Sequence, residues 1–445
     1  MKTLKIGIVD QAPWYRQLRM RLGALTGVEI VSVGDADLLV CQHADAAAGC
    51  GQPVLFPNGG SGFGLQEVIT RQPVTVTHLW YAQGESCICV GRAVTSTRHL
   101  WRINQEHAQE KVVSLIIQVI TGMQSGQPLP DVNADQAAPR VDMATVRQRL
   151  TYIYTVAQLI FKRLRDKMWQ KLGWRQNVWQ LYLMHNLKKS EFTKLLPDNK
   201  DLTADPFIFT YQNQDYLFFE HLPPGAPHGQ ISVCTLGPAG VTAPPVAALA
   251  LDYHVSYPQV FSWQGDIFML PETSANQRLE LWRAVAFPYE WELYQTALEG
   301  ISVADATIWH DQDDIWLFAN LSFDRFHDHN TELHIYKLGA NLLQDLTPHA
   351  CNPVVLDSRY ARGAGALYKD ATGRLIRPSQ CNDYNTYGRA LNLMEVQVLS
   401  LTAYAETCQQ RIDLTHRADW VGIHHLARWG NKYVVDICHR WERRS

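Results

Sequence analysis

The sequence predicts a mixed α/β unit followed by an all-β propeller of five blades, and three observations carry that expectation. Strand-like and helix-like segments alternate over residues 1–125, helix signals nearly vanish after about residue 176, and from there one hairpin pattern recurs five times. At 445 residues the chain also exceeds a usual single core, so two domains are expected.

In the first region LKIGIV, VEIVSV, ADLLVC, PVLFP and VTVTHLWY read as strands, and WYRQLRMRLGAL and QEKVVSLIIQVITGM as helices. Their alternation predicts a doubly wound sheet. Residues 126–142, GQPLPDVNADQAAPRVD, are rich in Pro, Asp and Ala and read as a linker, and the stretch up to residue 172 has helical spacing. The expected organisation is an α/β domain over 1–125, a linker and helix over 126–175, and a propeller over 176–445.

The five repeats begin at ADPFIFTYQNQDYLFFE (204), SYPQVFSWQGDIFMLPE (256), VADATIWHDQDDIWLFAN (303), ARGAGALYKDATGRLIRPSQ (361) and VGIHHLARWGNKYVVDI (421). Each is an apolar strand, a polar turn and a second apolar strand, at a spacing that suits one four-stranded blade. NVWQLYLMHN, before the first repeat, would supply the strand that closes the ring. Two stacked sandwich domains are the alternative.

Antiparallel pairing puts the start of each first strand beside the end of its second. Asp205, Tyr257, Asp305, Arg362 and His424 stand at the starts, and Glu220, Glu272, Asn320, Gln380 and Asp436 at the ends. Five blades therefore aim polar groups at one end of the channel, and the polar run from Arg377 to Tyr387 is the fourth blade's share.

The candidate catalytic carboxylates are Asp205, Glu272 and Asp305. Asp205 precedes proline, which also suits a plain turn, and Glu272 could equally be a solvated rim residue. Asp305 lies between apolar residues, where a carboxylate needs an arginine or a ligand. Arg362 and Arg377 could be those partners or could fork onto the diphosphate of a sugar nucleotide. Tyr257, Asn320, Gln380 and Tyr387 are the candidates for sugar contacts. His424 and His425 alternate on a strand, so only one is expected to reach the channel.

A net charge of −3 and a pI near 6.6 supply no basic field, so nucleic acid is not an expected partner. MKTLKIGIVD is a poor signal peptide, and the nine cysteines are odd in number with no CxxC pair, so a reduced, cytoplasmic setting is expected. HDQDD at 310–314 and DRFHDHN at 324–330 read as turns rather than metal sites, and GGSGFG at 59–64 as turn chemistry rather than a phosphate loop. No metal or cofactor is expected. The 161–171 segment combines Lys162, Arg163, Arg165, Lys167 and Lys171 with apolar residues; it suits either an anionic membrane surface or packing between domains.

The strings ADPFIF, SYPQVF, FPYEW, NPVVLDSRYARGAGALY and RLIRPSQ resemble the propeller domain at the N-terminus of plant glucosamine inositolphosphorylceramide transferases and in bacterial surface-polysaccharide proteins, over about 176–440. The resemblance implies an enzyme of glycan assembly, a glycosyltransferase taking a sugar nucleotide and a glycan or lipid-linked acceptor. A non-catalytic glycan-binding module and a propeller hydrolase or phosphorylase are the alternatives. Residues 1–125, with PVLFPNGGSGFGLQEVITRQPVTVTHLWYAQGESCICVGRAVTST, look like a formyltransferase-fold domain. That family's loop carries an Asn, a His and an Asp; here Asn58 has no following His, and QGESC no Asp, which implies a degenerate site.

Overall fold

The computed structural model describes residues 3–9, 13–42, 51–58, 63–132, 145–171, 175–187, 191–197, 201–311, 314–417 and 419–442. The chain divides into two compact units. The first comprises Met1–Arg163 with Ala350–Ser358 and Asp383–Asn385, and the second Leu164–His349, Arg359–Asn382 and Thr386–Ser445. Most of the GGSGFG loop, and the centre of HDQDD, lie outside the described residues.

The first unit is built on a six-stranded sheet of β1 (Leu4–Ile8), β2 (Val28–Val31), β3 (Leu38–Val40), β4 (Val54–Pro57), β5 (Val74–Gln83) and β6 (Ser86–Ser96), in the order β2-β1-β3-β4-β5-β6. The first four are parallel, and β5 and β6 add an antiparallel hairpin. Helices α1 (Pro13–Gly23) and α3 (Trp101–Gln124) share one core with Ile6, Ile8, Leu38, Val40 and Leu55. The opposite face is a small cluster of Ala36, Leu39, Cys41 and Val54 in which no α-helical residue takes part. A doubly wound sheet carries helices on both faces; among the described residues α1 and α3 occupy one. The short α2 (Leu65–Ile69) and the long α4 (Val146–Lys171) complete the helices. Leu356 joins the core, and Val94 bridges Asp357, so a late stretch of the chain finishes this early unit.

The second unit is a five-bladed propeller. The chain enters it through β7 (Arg175–Met184) and β8 (Phe192–Lys194). The first blade holds β9 (Leu202–Tyr211), β10 (Gln214–Leu222), β11 (Gln230–Gly237) and β12 (Gly240–Val241), with β13 (Val246–Leu249) also on β11. The second holds β14 (Ser256–Trp263), β15 (Asp266–Glu272), β16 (Leu279–Ala286) and β17 (Glu290–Ala297). The third holds β18 (Ser302–Asp311), β19 (Asp314–Ser322), β20 (Glu332–Gly339) and β21 (Leu342–Pro348), and β22 (Val355–Leu356) falls in the stretch that belongs to the first unit. The fourth holds β23 (Tyr368–Lys369), β24 (Leu375–Cys381), β25 (Ala390–Leu399) and β26 (Tyr404–Asp413). The fifth combines β27 (Trp420–Trp429) and β28 (Lys432–Glu442) with β7 and β8. β28 pairs with β7 along ten residues, the ring closure expected of NVWQLYLMHN, and the two-sandwich alternative falls.

Unbroken apolar runs such as LFF make sense in this setting because both faces of a blade are covered. Leu217 and Phe219 of β10 pack toward the fifth blade beside Leu181, while Phe218 between them packs with Val260 and Met269 of the second. Burying such side chains contributes about 1.5–3 kcal/mol each.

The fourth blade departs from the expected pattern. Its inner strand is only Tyr368–Lys369; before it, Ala361 to Leu367 touch the ladder at a single bridge, Gly363 with Ser379, beside which Gln380 N–H donates to Arg362 O at 2.8 Å. Ala364 O accepts the Leu426 N–H at 2.9 Å, and Gly365 N–H donates to Tyr257 Oη at 2.8 Å. Gly365 is required there: its φ is +126°, and a Cβ would lie 2.2 Å from Leu426 O.

Candidate functional site

The same irregularity opens several blades. Register shifts occur at Phe218/Glu220, Ser256/Gln259, Ala304/Thr307 and Ile423/His425, each where an inner strand begins. In the first three blades the residue pushed out of register is Asp205, Tyr257 or Asp305, with φ of 50°, 49° and 48°. Left-handed backbone at a non-glycine residue costs about 1–3 kcal/mol and persists only where the surroundings hold it.

Those surroundings are the second-strand ends of the neighbouring blade. Glu272 Oε2 accepts the Asp305 N–H at 3.3 Å, Asn320 Oδ1 the Gly363 N–H at 2.9 Å, and Asp436 Oδ2 the Asp205 N–H at 2.9 Å. Three of the five strand ends thus clamp the next blade's displaced backbone.

A cavity of about 260 Å³ lies at this end of the propeller. Of the residues expected there, Asp205, Glu220, Glu272, Asp305, Arg362, Tyr387 and His424 line it. Arg362 Nε donates to Asp305 Oδ2 at 2.6 Å and its Nη2 stands 3.8 Å from Glu272 Oε2, while its guanidinium covers the Tyr387 ring at 4.8 Å. Gln380 Nε2 donates to the same Asp305 oxygen at 3.2 Å from a fully buried position, so it acts on the site through that carboxylate.

Tyr257, Asn320 and Arg377 are corrected. Tyr257 is fully buried, its hydroxyl taken by Gly365 N–H and by Thr307 Oγ1 at 3.1 Å. Asn320 is fully buried and donates to the Glu332 and Ala361 carbonyls. Arg377 is 1% exposed and forks onto Glu406 at 2.8 and 2.7 Å, a buried pair that leaves it no face for a phosphate. These side chains hold the ring together.

Of the two histidines only His424 lines the cavity, as expected, although the two do not point to opposite faces. The bulge at Ile423/His425 lets both turn inward: His424 Nε2 and His425 Nδ1 each lie 3.3 Å from Asp205 Oδ1. His424 lines the cavity, its ring tilted at 47° to Trp179 with centroids 4.0 Å apart, and its Nδ1 is 2.9 Å from Asp436 Oδ1. Burial lowers the His424 pKa, but Asp436 and Asp205 outweigh it and lift the group to about 9. Burial likewise raises the Asp205 carboxyl, yet the two imidazoles and Arg362 hold it below its usual range.

The remaining carboxylates shift the other way. Burial pushes Asp305 up to about 7 against the opposing pull of Arg362. Glu220 is raised well above the ordinary range by burial and by the Asp205 charge. Glu220, His254 and Trp179 line the cavity without having been singled out as site residues. Glu220 occupies the same strand-end position as Glu272, which was the available signal. Trp179 comes from the closing strand β7, whose register no repeat could supply.

Asp205, His424 and Asp436 bring ligand atoms within 4.8 Å of one another, the spacing of a metal site. Asp436, however, already accepts backbone N–H bonds from Asp205, His424 and His425. In DRFHDHN the carboxylates cap the turn itself: Asp324 accepts from Phe326 N–H, and Asp328 from Asn330 N–H and the Thr331 hydroxyl.

Fold and site define a propeller with one polar, carboxylate-rich funnel edged by aromatic rings. The chain belongs to the family described as glucosamine inositolphosphorylceramide transferase 1, N-terminal, which it matches over residues 193–427. It is 33% identical over 216 residues to glucosamine inositolphosphorylceramide transferase 1 of Arabidopsis thaliana, covering 47% of this chain and 27% of that protein. The protein of the same name from Oryza sativa subsp. indica is 31% identical over 211 residues, covering 46% and 28%. The chain thus matches little more than a quarter of these relatives' length. Among solved structures it is similar to a thermostable family-43 glycoside hydrolase, with a TM-score of 0.40, 9% identity and coverage of 53% of this chain and 86% of that one. A GH43_1 enzyme from Xanthomonas citri gives 0.38, 11%, 55% and 88%.

Proposed function

We propose that the protein is a glycan-active enzyme of surface-polysaccharide or glycolipid synthesis, transferring a glycosyl group in the propeller funnel. The observation that carries this reading is the Glu272–Arg362–Asp305 cluster. A carboxylate poised near pH 7 is suited to take a proton from an acceptor hydroxyl, and Arg362 lies beside it to offset developing negative charge. Tyr387 and Trp179 offer the aromatic edge on which a sugar ring packs. The names of the relatives favour transfer, with a sugar nucleotide as donor and a glycan or lipid-linked acceptor. Because Arg377 is committed to Glu406, the cations that the donor's phosphates would meet among the described cavity-lining residues are Arg362 and the charged His424, so the sugar is the better-held half of such a donor.

Hydrolysis is the second reading. It is favoured by the contrast between Glu220, whose protonated form is favoured by burial and the Asp205 charge, and Asp205, whose ionised form is favoured by the two imidazoles and Arg362, a division that suits acid and anion roles at a glycosidic bond. The first unit is proposed as a formyltransferase-like scaffold without turnover: Asn58 Oδ1 is taken up by the His78 backbone N–H at 2.7 Å.

Native mass spectrometry against a panel of sugar nucleotides and oligosaccharides, followed by product analysis with and without acceptor, tests the reading. Glu272→Gln and Asp305→Asn are expected to lower the rate by roughly 10²- to 10⁴-fold while the protein stays folded. Unaltered turnover in both variants, or turnover in which water replaces the acceptor, would overturn transfer in this funnel.

A further inference from the structure

Helix α4 is held to the first unit by one face. Tyr152 Oη accepts the Trp101 N–H at 3.2 Å, Gln158 Oε1 accepts from Arg71 Nη2 at 2.8 Å, and Thr155 is 5% exposed. At about 100° per residue the opposite face carries Val146, Leu150, Ile153, Tyr154, Ile160 and Phe161. These six are between 52% and 75% exposed, and Leu164 and Met168 prolong the same stripe. By the same spacing Arg147 and Arg165 fall on one border of the stripe and Arg149 and Lys167 on the other. Asp166 is the only acid in the helix.

We infer that α4 lies in the plane of an anionic lipid surface, its apolar stripe at the level of the headgroup and acyl boundary and its border cations on the lipid phosphates and carboxylates. An apolar arc bounded on both sides by basic residues is the pattern of an interfacial helix. No described helix is long and apolar enough to cross a membrane, so the helix rests on the surface. A second copy of the chain fits less well: pairing two such stripes sets like charges against each other, and the arc, about 120° wide, exceeds the narrow seam of a two-stranded coil. The expected membrane segment, 161–171, is only the end of this surface, which begins at Val146.

Flotation of the full chain with vesicles of phosphatidylcholine containing phosphatidylserine, or of phosphatidylcholine alone, tests the inference. Binding is expected only to the anionic vesicles, falling steeply with added salt. Arg147→Glu with Arg149→Glu and Lys167→Glu should weaken it by roughly 5-fold or more per site. Leu150→Ser with Ile153→Ser and Phe161→Ser should weaken it too, without lowering the melting temperature, since these side chains are exposed. Absence of wild-type flotation, or flotation unchanged in either set, overturns the inference. So does light scattering that shows a wild-type dimer converted to monomer by the serine set, which would give the stripe to a second copy.

Discussion

Asp205 draws two imidazoles to one carboxylate oxygen, and that arrangement should be visible in the pH dependence of stability. His424 has a pKa of about 9 in the fold against an ordinary 6.5, so between these values the folded chain binds more protons than the unfolded one. Its contribution is fully present below pH 6.5 and is lost as pH rises through about 9. Urea midpoints are expected to fall over that window by the equivalent of about 3 kcal/mol, and His424→Gln to flatten the fall. A decline of equal depth in the variant would assign it to other groups. The sequence showed which residues stand at the funnel end of each hairpin, because period-two alternation and antiparallel pairing fix that. It could not show depth. Asn320 and Asp436 stand level with Glu272 along their strands, yet both are wholly buried as backbone clamps.

At the scale of elements, five repeated hairpins and a closing strand were legible, since a blade buried on both faces needs apolar runs at a regular interval. The bulges were not. Asp205, Tyr257 and Asp305 carry no glycine signal, and at Asp205 and Asp305 the left-handed backbone is clamped by a carboxylate of the neighbouring blade. The inner strand of the fourth blade was misread for the opposite reason: Gly365 signals close approach rather than pairing. Gly365→Ala should therefore be severe, costing about 3 kcal/mol, because the added methyl meets the Leu426 carbonyl and the residue's φ is unfavourable. Urea denaturation measures it, and a cost below about 0.5 kcal/mol, the size of an ordinary surface change, would show that the Ala364–Leu426 contact is adjustable.

At the scale of the whole molecule, an α/β unit and a propeller could be told apart by the change in periodicity near residue 176. The return of residues 350–358 and 383–385 to the first unit could not, since contacts so distant in sequence leave no local pattern. The propeller's integrity rests on β7, and Leu181→Ala is expected to cost about 2–5 kcal/mol, as a large-to-small change at a fully buried position between the last and first blades. Calorimetry would register it as a lower melting temperature of the propeller, and an unchanged melting profile would mean that the ring tolerates a loosened closure. Synthesis on the ribosome adds a timetable. β7 emerges early, and its partner Tyr433 follows Met184 by about 250 residues, tens of seconds at ordinary elongation rates. Throughout that interval the nascent chain carries a long apolar strand with one bare edge, and the first unit also waits for Leu356. Neither half can complete its core before these distant partners are made, so it is the unfinished polypeptide, more than the finished protein, that exposes a pairing edge.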